Sequence, residues 1–412
     1  MLIEMGKKAK RASLLLMNIA AESKSLGLIS IAEALKSNTD RIIAENKKDV
    51  ESLIQKGGSS ALVDRLTLTK ERIHDMAEGV LKVNSLPDPV GEVLGMTKRP
   101  NGLVIGTKRV PLGVIGIIYE ARPNVTVDAA VLCLKTSNAC ILRGGSEAIC
   151  SNSVLVDIMN EALKKAGFPE GSLQLVRDTS RETAKDLMRL SEYLDVLIPR
   201  GGKGLISTVV ENASVPVIET GTGNCHIYIE KTADPIMARD IVVNAKTSRP
   251  AVCNAAESLL IDASVAETML PIIAEALAAF NVELRGCETT CKILPKAQSA
   301  SNEDFYTEYN DYIMSIKVVS DINEAIAHIN EHGTRHSEAI VTSDYAAANL
   351  FLDGIDAAAV YVNASTRFTD GNEFGYGAEI GISTQKLHAR GPMGLTALTS
   401  TKHIIYGSGQ IR

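Results

Sequence analysis

From Gly113 onward, short runs of aliphatic and β-branched residues alternate with longer stretches of helical spacing. The runs are Gly113–Tyr119, Ala139–Leu142, Leu173–Val176, Tyr193–Pro199 and Val215–Glu219. Between them lie Thr126–Leu134, Glu147–Ala166, Arg181–Leu190 and Leu205–Asn212. Several runs are continuously apolar, which a strand covered on both faces requires. Strand and helix alternating at this spacing restrict the chain to βαβ units on a parallel sheet, an α/β fold. A second alternating block follows. Its expected strands are Ser258–Ile261, Lys292–Leu294, Met314–Val319, Ala339–Thr342 and Ala358–Val362; its expected helices are Pro235–Lys246, Val265–Phe280, Asp321–Glu331 and Tyr345–Leu352. The boundary between the blocks is placed near Gly221–His226.

The first ninety residues lack this alternation. Leu2–Ser25, Ile29–Gln55 and Thr69–Val83 carry apolar residues at helical spacing with charges opposite. The stretch Val93–Pro111 reads as a hairpin, with Asn101-Gly102 as its turn. Residues 371–394 are glycine-rich, and His403–Tyr406 reads as a last short strand. Lys7, Lys8, Lys10 and Arg11 precede an apolar stretch, as in a secretory leader, but Asn18 interrupts it and Glu22 and Lys24 follow. An amphipathic helix fits better, and the chain is expected in the cytoplasm. Its 412 residues suffice for two or three domains. A net charge of −6, with no Trp and 4% aromatics, argues against nucleic-acid binding, and no apolar run is long enough to span a membrane. Seven irregularly spaced cysteines fit a reducing compartment rather than a disulfide framework.

Chemistry-bearing residues gather at the ends of the expected strands. The glycines of Arg200-Gly-Gly-Lys-Gly204 follow a strand and open a helix. Such a turn either cradles a phosphate with its N–H groups or serves only as a tight connection. Arg143 closes another strand, where open α/β sheets bind ligands, or is a surface arginine. Cys253, with Lys246 and Arg249 nearby, is either a thiolate nucleophile favoured by positive charge or a buried structural thiol. Glu219 ends a strand before Gly221-Thr-Gly223, as a general base, a cofactor contact or a solvated carboxylate. The amide of Asn124 either donates to an oxyanion or forms a turn. His328, His332 and His336 would align on a helix that Gly333 interrupts; a surface or capping role is expected. Cys287-x-x-x-Cys291 lacks the His or second Cys pair that a zinc site needs, so no metal is expected.

These pieces occur in an order that resembles the aldehyde dehydrogenase superfamily along nearly the whole chain. Asn124 matches the family's oxyanion asparagine, Arg143 stands where a cofactor-contacting lysine is usual, and Gly201, Gly202 and Gly204 match the glycine turn. Glu219-Thr-Gly-Thr-Gly223 matches the family's glutamate element, and Cys253 follows Glu219 at the nucleophile spacing. Glu308-Tyr309 resembles the glutamate–aromatic pair on the nicotinamide ribose, and Val360-Tyr-Val-Asn363 the strand ending in Asn. Four segments narrow the likeness to the branch that reduces an acyl phosphate: Ile117–Val125, Ser248–Ala255, His328–Ala339 and Leu387–Gly394.

The resemblance implies a Rossmann-like NADP(H)-binding domain (residues 1–90 and 111–223), an α/β catalytic domain (224–379), and a β oligomerisation flap (93–110 and 395–412). It also implies NADPH-dependent reduction of L-glutamyl 5-phosphate to glutamate 5-semialdehyde in proline biosynthesis, through a thioacyl Cys253. Arg143 would suit a 2′-phosphate. Arg122, Lys246, Arg249, His388 and Arg390 are the candidate cations for the anionic substrate. A homo-oligomer is implied, and a glutamate 5-kinase is a possible donor of the unstable substrate. The alternatives are a hydrolytic aldehyde dehydrogenase and a catalytically silent assembly protein.

Overall fold

The structure, a computed structural model, describes residues 1–412, the side chain of Ala61 excepted. In chain order the elements are α1 (Leu2–Leu16), α2 (Ala21–Ser37), α3 (Thr39–Gln55), α4 (Ser60–Leu66), α5 (Lys70–Ser85), β1 (Val93–Lys98), β2 (Val104–Pro111), β3 (Val114–Tyr119), α6 (Pro123–Lys135), β4 (Ala139–Arg143), α7 (Ile149–Lys165), β5 (Leu173–Leu175), α8 (Arg181–Met188), β6 (Val196–Arg200) and α9 (Lys203–Asn212). There follow β7 (Cys225–Ile229), α10 (Pro235–Thr247), β8 (Ala256–Asp262), α11 (Ala263–Ala278), β9 (Glu283–Gly286), α12 (Glu288–Ile293), β10 (Gln298–Ser299), β11 (Ile313–Val319), α13 (Ile322–His332), β12 (Ser337–Val341), α14 (Tyr345–Gly354), β13 (Ala359–Val362), β14 (Ile382–Ser383), β15 (Gly391–Pro392) and β16 (Thr399–Tyr406).

The chain forms two compact units. The first comprises Met1–Glu219, Gly375–Gly381 and Met393–Arg412; the second comprises Thr220–Phe374 and Ile382–Pro392. The first unit holds a parallel sheet in the order β5-β4-β3-β6. Every residue of the central strand β3 is buried, as its unbroken apolar run requires. The same unit holds an antiparallel sheet, β1-β2-β16, with all of β1 exposed. The second unit is built on a seven-stranded parallel sheet, β10-β9-β11-β8-β7-β12-β13. Ile227, Leu259, Ile261 and Met314 pack on one side of it with α10 and α11, while Tyr228, Leu260 and Ile340 pack on the other with α13 and α14. Among the described residues no helix is long and apolar enough to cross a membrane.

Local chemistry explains where the elements start and stop. Asp234, Asp262, Asp321 and Asp344 each cap a helix by accepting an N–H of its first turn. Four expectations need correction. Leu2–Ser25 is two helices, because Asn18 and Ile19 donate three residues back and Ala20 is extended. Ile29–Gln55 is likewise broken at Asn38, whose side chain donates to the Ala34 carbonyl at 2.9 Å. Val215–Glu219 makes only one bridge, Leu197 to Val217, since Pro216 has no N–H to give a ladder. Lys292–Leu294 is not a strand but the end of α12.

Candidate active site

In the second unit, Cys253 occupies the turn between α10 and β8 and is half-buried. The turn is pinned from outside. The Cys225 thiol lies 3.2 Å from the Cys253 carbonyl. The Asn254 amide donates to the carbonyls of Arg367 and Thr369 at 3.2 and 2.9 Å. Arg367 returns the contact: its Nε donates to Ser248 Oγ at 3.1 Å and its Nη1 to Asn254 Oδ1. This half-buried cation interacts electrostatically with both the Cys253 thiol and Arg249. Sequence reading missed Arg367, four residues past the recognised Asn363.

Glu308 is linked to this turn through Gly223. Its Oε1 accepts the Gly223 N–H at 2.7 Å. Gly223 packs so tightly that a Cβ there would overlap the Cys253 carbonyl, so its lack of a side chain has a steric reason.

The candidate cations separate. Arg249 and His388 are exposed, His388 with a left-handed φ of 67°. Arg390 donates to Asp356 at 2.7 Å, and Lys386 pairs with the same carboxylate at 2.9 Å. Lys246 is a correction. Its ammonium is wholly buried, 2.6 Å from an equally buried Glu257 carboxylate, and is therefore neutralised within the protein rather than offered to solvent. Burial pulls Lys246 below its ordinary range and pushes Glu257 up to about 7.

The three histidines are a second correction. His328, His332 and His336 are buried, as is His226. The His328 and His332 rings stack with centroids 3.9 Å apart. His226 meets the buried Glu338 carboxylate at 3.1 Å. Burial lowers His328 to a pKa of about 2 and His336 to about 4. Among the described residues no group of three or more His, Cys, Asp or Glu is arranged to hold a metal ion. The Cys291 thiol lies 3.4 Å from the Gly286 carbonyl, and Cys287 N-caps α12.

In the first unit, Asn124 is exposed in the first turn of α6 and its Nδ2 donates to Asp128 at 3.3 Å. Arg122 is the exposed N-cap of that helix. Glu219 is half-buried at the last position of the unit's long N-terminal stretch. Strand ends β4, β3 and β6 lie side by side, so Arg143 and the turn Gly201–Gly204 share one edge of the sheet. Arg143 Nη2 donates to the Thr179 carbonyl at 2.6 Å, while its Nε is buried without a partner. The Gly202 N–H donates to the Glu120 carboxylate at 3.1 Å, and a Cβ on Gly201 would fall 2.6 Å from that carboxyl carbon. The Glu120 carboxylate thus occupies the turn's amide, and Arg143 stands two strands away across β3. Sequence reading missed Glu120, although it adjoins Tyr119 at the end of β3.

Known proteins sharpen this picture. The model of the aldehyde dehydrogenase family matches residues 4–305 and 306–404. The chain belongs to that family, a family of oxidoreductases. Within it, the chain is 63% identical over 411 residues to a gamma-glutamyl phosphate reductase of Clostridium perfringens, covering 100% of this chain and 99% of that protein. A Carboxydothermus hydrogenoformans protein of the same name is 61% identical over 410 residues, with the same coverage. The crystal structure of a gamma-glutamyl phosphate reductase from Thermotoga maritima superposes with a TM-score of 0.98 at 49% identity, covering 100% of this chain and 99% of that one.

Proposed function

We propose that this chain reduces L-glutamyl 5-phosphate to L-glutamate 5-semialdehyde, releasing phosphate, as a step of proline biosynthesis in the cytoplasm. The full-length likeness to proteins named for that substrate carries the reading. Cys253 is the nucleophile. Its thiolate attacks the acyl carbon, and the carbon–oxygen bond to phosphate breaks with its electron pair on the phosphate. This leaves a thioacyl enzyme, a good hydride acceptor with a good leaving group. The Asn124 amide and the Cys253 N–H hold the oxyanion, the latter carried over from the family's motif. NADPH, when bound, supplies the hydride. Arg143 and Gly201, Gly202 and Gly204 hold its phosphates, and Glu308 holds the ribose beside the nicotinamide. When the reduced carbon releases sulfur, Cys253 regains its electron pair as thiolate. Glu219 assists proton transfer at Cys253 or contacts the cofactor; water must be kept from the thioester. Arg122, Arg249, His388 and Arg390 are the substrate cations.

The exposed apolar residues Val93, Leu94 and Met96 on β1 support a homo-oligomer joined through the β1-β2-β16 sheet. A glutamate 5-kinase is the proposed donor of the labile acyl phosphate.

The reverse reaction tests the reading. Glutamate 5-semialdehyde and NADP⁺ are supplied with and without inorganic phosphate, and NADPH absorbance is followed. Turnover only with phosphate is expected. Equal turnover without it would show water resolving the thioester, and the reading would give way to a hydrolytic dehydrogenase. Cys253→Ser is expected to abolish turnover while leaving NADPH binding intact.

A further inference from the structure

Lys246 lies in the last turn of α10 and Glu257 is the second residue of β8, so the two flank the turn that carries Cys253. Both side chains are wholly buried. Taking two charges out of water is costly, and an apolar pair of similar volume is often at least as stable, so such a pair calls for another reason. The contacts of Glu257 supply one. Its Oε2 takes the Lys246 ammonium at 2.6 Å, and its Oε1 accepts the N–H of Asn310 at 3.2 Å. Asn310 lies two residues past Glu308 in the loop that precedes β11, with a left-handed φ of 56°. Glu308 in turn accepts the Gly223 N–H, and Gly223 is packed against the Cys253 carbonyl. The contacts run Lys246, Glu257, Asn310, Glu308, Gly223, Cys253, and close along the chain from Cys253 back to Lys246.

We infer that Glu257, held and charge-compensated by Lys246, is a positioning residue that locks the Cys253 turn to the loop bearing Glu308. It touches neither substrate nor cofactor. It fixes where the nucleophile stands relative to the carboxylate assigned to the nicotinamide ribose. The inference rests on the reading of Cys253 as nucleophile. The other titratable groups facing the pair are Glu308, Tyr309, Asp311 and Cys225.

Two full-length double variants separate positioning from mere structural support. K246M/E257Q removes both charges but keeps an amide oxygen for the Asn310 N–H. K246M/E257M removes both charges and that bond. If the pair only supports the fold, turnover in the two variants follows their melting temperatures. If Glu257 positions the turn, the Gln variant keeps most of its turnover. The Met variant then loses about tenfold or more in kcat at little change in KM, the scale on which remote misplacement acts. It does so even where its melting temperature matches that of the Gln variant. Should the Met variant not fold, K246M/E257N takes its place, since the shorter amide falls short of Asn310. Equal kcat in the compared variants overturns the inference. Cys253→Ser is assayed alongside: if it retains turnover, the nucleophile reading fails instead, and if it is inactive while the double variants match, only the positioning role falls.

Discussion

Cys253 is held by residues distant in sequence, and this makes its reactivity testable one side chain at a time. Arg367 approaches the turn from 113 residues away to bond Asn254. A cation beside a thiol favours the thiolate. In Arg367→Met the Cys253 thiol should therefore titrate at higher pH. Alkylation by iodoacetamide at neutral pH should slow by roughly tenfold for every pH unit the inflection climbs. The pH profile of the alkylation rate checks this, and an unmoved inflection would remove Arg367 from the site. Gly223→Ala forces a methyl against the Cys253 carbonyl. Overpacking of this kind costs about 1–3 kcal/mol, so a lowered melting temperature and a large loss of kcat are expected together. At this scale the sequence singled out Cys253, Asn124 and Glu308, because each sits in a contiguous motif. It was silent on Arg367, Glu257 and Glu120, whose meaning comes only from partners brought close by folding.

Among the elements, α13 shows why local reading fails where burial is decided elsewhere. Its His328 and His332, with His336 just beyond its end, look polar in spacing, yet α13 packs its histidine side against Phe305 and His226. Burial then has a consequence for acid stability. His336 is neutral in the folded chain down to a pKa of about 4, whereas its ordinary value is 6.5. Between these values the unfolded chain binds a proton that the folded chain does not, so stability falls as pH drops from 6.5 towards 4. The slope from one such histidine is at most about 1.4 kcal/mol per pH unit. Glu338, pushed up by burial, acts in the opposite sense over its own window. His336→Asn should therefore flatten the acid limb by about that slope, measured by denaturant unfolding across pH 4–7. An unaltered limb would show that His336 is not the group responsible. Strand β3 and the Asp-capped helices, by contrast, could be read directly, since continuous apolar runs and side-chain caps are local causes. Lys292–Leu294 misled because the helix containing it starts at Cys287, not a usual cap residue.

Across the whole molecule, alternating strands and helices made both parallel sheets legible, but not the path of the chain between units. After Phe374 it enters the first unit, returns to the second for Ile382–Pro392, and goes back to the first from Met393. Glycine richness over residues 371–394 marks that stretch without saying where each piece belongs. The central strand of the antiparallel sheet is β2, flanked by β1 and β16. Removing residues 399–412 should expose one edge of β2, and light scattering is expected to show aggregation that the full chain does not. A monodisperse product would mean that the edge is protected without β16. The same arrangement sets a timetable for birth on the ribosome. The β1-β2 hairpin emerges early, yet its second edge waits while the whole of the other unit is made, because the strand that covers it, β16, follows that unit in the chain. The nascent chain thus carries an open, adhesive edge from the birth of β2 until β16 arrives to cover it.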